Sequence, residues 1–526
     1  MQVFYVGILQ VVKFSDFRSR VGKVFFLPTV TDDGGQKNTC PPYITNIRYY
    51  ITYFMHTSQI DRIEVMQQTI VFDIDLIRRY DKAGPRYTSY PTAVQFHDKF
   101  DEATYREYAQ NSNQASLKPL SLYVHVPFCD TVCFYCACNK IATKDRHLTV
   151  PYLAAMYQEI AMQGALFKHE RPVMQLHFGG GTPTFFNHEQ MRDLMQVLKS
   201  HFQLLDDDSG EYSIEIDPRE TQSNTVPLLR ELGFNRMSLG VQDFDPQVQK
   251  AVNRIQSEEQ TFAVLEAARR EGFKSISIDL IYGLPHQCVE TFSKTLDKII
   301  AVKPDRLSIF NYAHLPTLFK PQRRINEADL PAASEKLAIL QHTIKHLTEA
   351  GYLYIGMDHF ALPNDELAIA QRNGTLYRNF QGYSTHANCD LIGLGVTSIS
   401  QVGDSYGQNV KTLDEYYAQI NAGVMPIFRG IALNADDKLR RAVITQLICH
   451  FTLDIPLMEK EYAIDFKEYF SKEWAKLEVM QEDGLLTRNN QRIDILPAGR
   501  LLVRNICMTF DTYLRKNKAL RFSKVI

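Results

Sequence analysis

The sequence predicts an α/β fold: a partial barrel of six strand–helix units, with an N-terminal extension before it and a mostly helical C-terminal domain after it. Three observations predict this. Short β-rich runs alternate with amphipathic helical runs between about residues 120 and 315. Polar side chains recur at the C-terminal ends of those β runs, where barrel-type active sites sit. From about residue 433 the apolar period is helical again. Repeated alternation implies parallel strands joined by right-handed crossovers. Six units fit an open barrel better than a closed eightfold one.

Residues 1–65 show no steady helix or strand period and read as coil. A start codon assigned too far upstream would account for them, since Met66 precedes a well-patterned segment. Residues 66–119 form an arm expected to pack near the active site. Residues 120–432 make the barrel and its extension, with strands expected over 122–126, 173–178, 212–216, 236–241, 275–281 and 306–312. Helices are expected over 152–167, 190–202, 226–232, 258–270 and 290–302. Gly233 and Gly272 sit where helix C-caps belong, and Pro304 stops the last of these helices. One long helix should follow over 334–350, then extended segments over 352–360 and 391–402. Residues 433–526 read as helices over 436–451, 456–462 and 466–480, a small hairpin about Asn489-Asn490, and a last helix over 498–515. The hairpin and helices look like a winged helix. A packing or lid role is favoured over DNA binding, because the last helix lacks a strong basic stripe.

The chain has 526 residues, 45% of them hydrophobic, and a formal net charge of −2. That length implies more than one domain. Near-neutral charge gives no electrostatic argument for nucleic-acid binding. No apolar run is long enough to span a bilayer, and the apolar start lacks the basic residues of a secretory signal. Nine cysteines, several of them clustered, argue for a reducing cytoplasmic setting.

The cluster reads Cys129-x3-Cys133-x2-Cys136-x-Cys138. A cubane iron–sulfur cluster takes four thiolates, and Cys129, Cys133 and Cys136 supply three, leaving one iron open. Structural zinc is the alternative, but zinc sites pair two short Cys motifs and the remaining cysteines are scattered singly. Cys138 is left over, as a spare thiol or a neighbour of the ligands. Downstream, Gly179-Gly180-Gly181-Thr182-Pro183 follows a strand, a turn whose backbone a ligand can approach closely. Glu215, Gln242 and Asp279 are polar residues at equivalent places in successive units. Singly each could be a satisfied core group; together they converge on one site.

The cysteine spacing and the Gly-Gly-Gly-Thr-Pro turn resemble the signature of radical S-adenosylmethionine (SAM) enzymes. Over residues 70–526 the chain further resembles the oxygen-independent coproporphyrinogen III oxidases. The matching stretches include Gly84-Pro85-Arg86-Tyr87-Thr88-Ser89-Tyr90-Pro91, Gly240-Val241-Gln242-Asp243-Phe244, Asn311-Tyr312-Ala313-His314-Leu315-Pro316 and Gly356-Met357-Asp358-His359-Phe360. The resemblance implies a [4Fe–4S] cluster on Cys129, Cys133 and Cys136. It places Tyr123, Gly180, Gly181, Thr182, Glu215, Gln242, Arg254 and Asp279 around SAM, in one or two copies, with Tyr135, Ala313 and Ile399 alongside. Tyr123, His125 and Cys138 carry the catalytic expectation. Phe134-Tyr135 stands where the family's aromatic pair is expected in reverse order. The implied reaction turns the ring A and B propionates of coproporphyrinogen III into vinyl groups, giving protoporphyrinogen IX for haem synthesis. The implied setting is a cytoplasmic monomer fed by a flavodoxin or ferredoxin. Arg86 and other cations near the barrel mouth are candidate carboxylate partners. A haem-binding chaperone of the same superfamily is the rival reading. The Gly84–Pro91 segment and Cys138 speak against it.

Overall fold

The computed structural model describes residues 70–115 and 117–516. The expectation for residues 1–65 lies outside them. Six parallel strands form the centre: β1 (Leu120–Val126), β2 (Pro172–Gly180), β3 (Glu211–Ile216), β4 (Arg236–Gln242), β5 (Ser275–Tyr282) and β6 (Arg306–Asn311), side by side in chain order. The expected strands are all present, most of them a residue or two longer. The sheet stays open. Beyond β6 it continues into the antiparallel strand His359–Ala361, and beyond β1 into the parallel strand Asp390–Leu394.

Alternation along each strand explains why the barrel forms and why its interior is polar. In β3 the buried Tyr212, Ile214 and Ile216 alternate with half-buried Ser213 and Glu215. In β4 Met237, Leu239 and Val241 alternate with Ser238, Gly240 and Gln242. One face therefore packs against helices and the other lines the lumen. The helices Thr149–Gly164, His188–His201, Thr225–Glu231, Glu258–Arg270 and Val289–Val302 connect the strands. Their ends obey local rules. Asn187 and Gln190 form a capping box, and Gly233 and Gly272 take positive φ just past two C-termini.

Four single-element expectations divide, the first being the 352–360 segment, which is the antiparallel pair Leu353–Gly356 and His359–Ala361. The 498–515 helix breaks into Val503–Phe510 and Thr512–Lys516 at Asp511, whose carboxylate accepts the N–H groups of Tyr513 (2.9 Å) and Leu514 (3.2 Å). The 466–480 helix breaks at Phe470, where the chain leaves helical geometry between Phe466–Tyr469 and Ser471–Glu482. The 391–402 segment is two strands, Asp390–Leu394 and Ile399–Val402, joined by a turn in which Thr397 has φ 64°.

The segment containing Gly84 and Pro85 is gripped by the C-terminal helices. Arg504 donates from Nε to the Pro85 carbonyl at 3.1 Å, and from a terminal nitrogen to the Gly84 carbonyl. The Tyr87 hydroxyl donates to Asp511 at 2.9 Å. Arg86 pairs with Asp358, and its guanidinium lies 6.0 Å from the centre of the Phe310 ring on β6.

Candidate active site

The cysteine loop leaves the end of β1 and is tied down on both sides. The Ile141 N–H donates to the Pro127 carbonyl (2.7 Å), and the Thr143 N–H to the Cys129 carbonyl (2.9 Å). From the β4 side, the Phe134 N–H donates to the Val252 carbonyl (2.9 Å) and the Asn253 side chain to the Val132 carbonyl (2.8 Å). The glycine turn after β2 closes over the same loop. Gly181 N–H donates to Val126 (2.7 Å) and Thr182 N–H to Phe128 (2.8 Å). Glycine is required there: a Cβ on Gly181 would meet the Phe128 carbonyl oxygen at 2.5 Å and the Cys129 sulfur at 3.0 Å.

These segments enclose a cavity of about 300 Å³ at the C-terminal ends of the strands. Cys129, Cys133, Cys136 and Cys138 line one side. Gly180, Gly181, Thr182, Glu215, Gln242, Arg254 and Asp279 line the rest, with the Tyr135 ring between. The converging set read from the sequence is thus brought together. Tyr123 and His125 stand behind the wall. The Tyr123 ring stacks on His177 at 5.8 Å, and its hydroxyl meets His125 Nδ1 at 3.1 Å. Burial holds His125 below the usual imidazole range. Ala313 and Ile399 do not line this cavity. The Ala313 carbonyl is reached through Gln322, and Ile399 packs against a small apolar cluster with Phe96 and Tyr406.

The electrostatics divide the wall in two. On the cluster side, Cys133 sulfur receives Arg254 at 3.6 Å and Arg219 at 3.7 Å, and both arginines also hold Asp217, at 3.0 and 2.6 Å. Burial raises the Cys129 thiol to about 12, against the hydrogen bond from Thr182. The exposed Cys138 donates to Cys136, and with Lys140 nearby the Cys136 thiol is drawn down to about 5 despite burial. On the far side, burial works to raise Glu215. His177, at 3.2 Å, and the Gly180 N–H, at 3.1 Å, outweigh it and hold the carboxylate ionised. Burial lifts Asp279 to about 6, against a 2.9 Å bond from Ser238.

The residues fit a cubane cluster and its ligand. Three thiols on one loop line the cavity, under a glycine turn that lies too close to that loop to carry a Cβ. The buried Nε of Arg254 meets no acceptor among the described residues, so it is free for a ligand atom. Several contributors were not legible in sequence. Asp217 and Arg219 come two and four residues after Glu215, and a polar Asp-Pro-Arg run just past a barrel strand was a usable signal. His177 gave none beyond its place on β2. Gln322 gave none at all, yet its side chain bridges the Tyr135 carbonyl (3.0 Å) and the Leu315 N–H (2.6 Å).

A loop of three cluster-spaced cysteines under a glycine turn, at the open end of a parallel partial barrel, defines a radical SAM enzyme. The radical SAM superfamily pattern matches residues 123–299, and the HemN C-terminal domain pattern matches residues 433–502. An oxygen-independent coproporphyrinogen III oxidase of Pseudomonas aeruginosa is 57% identical over 461 residues, covering 88% of this chain and all of the relative. One from Escherichia coli is 51% identical, covering 87% and 99%. The solved coproporphyrinogen III oxidase of Escherichia coli, described as a radical SAM enzyme, superposes with a TM-score of 0.81 at 49% identity over 85% of this chain and all of that one. The chain belongs to the oxygen-independent coproporphyrinogen III oxidase family. Its cofactors are a [4Fe–4S] cluster and SAM, and the zinc alternative falls away.

Glu215 offers a direct check on whether this wall faces SAM. Losing a charge-assisted hydrogen bond costs about 1.5–3 kcal/mol, or about one to two decades in affinity. Glu215→Ala should therefore weaken SAM binding by that factor with the cluster absorbance intact. Unchanged affinity in a binding titration would leave Glu215 as a strand-end polar group serving only His177 and Gly180.

Proposed function

We propose that this chain oxidatively decarboxylates the ring A and B propionates of coproporphyrinogen III to vinyl groups, yielding protoporphyrinogen IX without oxygen. Each conversion removes one β-hydrogen atom, CO2 and one electron from a propionate, so a one-electron acceptor must take the last. The observation that carries the reading is the single cavity on which the cysteine loop, the glycine turn and Glu215 meet, in a chain of this family. When bound, the cluster and SAM supply the hydrogen-abstracting carbon radical. The protein's share is to hold, orient and shield. Cys129, Cys133 and Cys136 would hold the cluster. Ionised Glu215 is placed to accept hydroxyl hydrogens of the SAM ribose, and Gln242, Asp279 and Arg254 complete the polar wall. A flavodoxin or ferredoxin as electron donor, a monomeric state and a cytoplasmic location complete the reading. Among the described residues no cysteine is paired in a disulfide, and clustered thiols that must stay reduced support a reducing compartment. Among the described residues no helix is long and apolar enough to cross a membrane.

Cys138 is outside the ligand set and hydrogen-bonded to it. Cys138→Ser should retain most of the iron while lowering turnover. Loss of all iron would make Cys138 a ligand. The function as a whole is tested by anaerobic incubation with a chemical reductant, SAM and coproporphyrinogen III. 5'-Deoxyadenosine and a divinyl product should form together. SAM cleavage without any vinyl product would contradict the substrate assignment.

A further inference from the structure

Among the described residues, Arg378 is a buried cation without a carboxylate. It lies on the strand Tyr377–Asn379, is 7% exposed, and its Nε and one terminal nitrogen meet no acceptor among the described residues. Its one close partner is the face of Tyr383, with the guanidinium 4.8 Å from the ring centre. A cation–π contact compensates only part of the cost of removing a guanidinium from water. The surroundings add cations. Arg504 is one, lowered to about 10 by burial and by the charges of Arg86, a second, and Arg378; His359, lowered to about 3 by burial and by Arg378, stays neutral. The carboxylate facing this corner, Asp358, is already paired with Arg86.

Two further polar atoms nearby lack partners among the described residues: an imidazole nitrogen, donor or acceptor according to its tautomer, and an amide donor. His359 Nδ1 and Gln381 Nε2 are buried and unbonded, and both residues line a second cavity of about 210 Å³ inside the barrel, as does Tyr383. That cavity shares Glu215, Ser238, Asp279 and Phe310 with the cofactor cavity, so the two adjoin. Glu211, Glu215 and Asp279 also line this cavity, and its arginines Arg236 and Arg306 are already paired with Glu366 and Asp365, so the unmet Arg378 against Tyr383 is the guanidinium left to call for an anion beside it. A guanidinium edge matches a carboxylate in geometry as well as charge.

We propose that Arg378, together with His359 and Gln381, forms a binding site for a carboxylate, supplied either by a propionate of the substrate or by the methionine end of SAM. The proposal rests on the function proposed above, because both sources are ligands of that reaction.

Full-length Arg378→Met and Arg378→Lys proteins, cluster-loaded under anaerobic conditions, test it by three readings. The first is the melting temperature of the ligand-free protein. An uncompensated buried charge predicts that Arg378→Met melts at the wild-type temperature or above it. A structural role predicts a lower one. The second is SAM affinity by titration, and the third is KM for coproporphyrinogen III with kcat alongside. One of these two constants should weaken by about ten- to hundredfold in Arg378→Met, and recover most of that loss in Arg378→Lys, which restores the charge. Movement of the SAM constant assigns its carboxylate, and movement of KM assigns a propionate. Both constants unchanged, or an Arg378→Met protein that melts lower or does not fold, would overturn the site. Wild-type turnover, measured in parallel, reports on the proposed function separately.

Discussion

Replacing any one of Cys129, Cys133 or Cys136 by serine is expected to abolish both the cluster absorbance and SAM cleavage. The loop offers three thiols in one short turn, and each would hold a different corner of a cubane. Cys133 shows how little tolerance the site has. It is buried, and two guanidinium groups, Arg254 and Arg219, already point at its sulfur. Donors of this kind suit a cluster whose sulfur ligands carry negative charge. A serine hydroxyl in that place is a harder, less acidic ligand. Iron and sulfide analysis, the visible spectrum and 5'-deoxyadenosine release check the result together. A fully assembled, active Cys133→Ser protein would remove Cys133 from the ligand set.

Gly181→Ala should have the second-largest effect, for a steric reason. The added Cβ would meet three neighbours within 3.0 Å: the Phe128 oxygen at 2.5 Å, the Val126 oxygen at 2.9 Å and the Cys129 sulfur at 3.0 Å. Two of these are backbone atoms, so no side chain can swing aside. Overpacking of this kind costs about 1–3 kcal/mol. The displacement falls on the loop carrying the cluster. Moving reacting groups by about 1 Å can cost a hundredfold in rate. Activity should fall by about that factor, with cluster loading reduced. Gly272→Ala is the control. A Cβ there meets nothing within 4 Å, but φ is +75°, so strain should lower stability and leave the rate per loaded cluster unchanged. If Gly181→Ala kept full activity and loading, the close approach of the turn to the cysteine loop would have no functional weight.

The barrel was legible because its signal is local. Strand and helix periods, glycine caps and Pro304 each follow from a few neighbouring residues. The long-helix expectations failed where a single residue competes with the helix, as Asp511 does by capping the next one. The site was legible where chemistry is written in spacing, as in the cysteine loop and the glycine turn. Glu215, Gln242 and Asp279 could be grouped because equivalent positions in parallel units share one end of the barrel. Arg378, His177 and Gln322 could not be found this way. Their significance depends on what lies across the fold: an absent carboxylate, a stacked tyrosine, two carbonyls far apart in sequence. No periodicity records such distances.

The central claim is that this cavity removes a hydrogen atom from the β-carbon of a propionate. Coproporphyrinogen III deuterated at the β-positions of its propionates tests it most directly. Incubated anaerobically with the cluster-loaded enzyme, reductant and unlabelled SAM, it should yield vinyl product together with 5'-deoxyadenosine that has gained deuterium. Vinyl product formed while the 5'-deoxyadenosine remains free of deuterium would contradict the account.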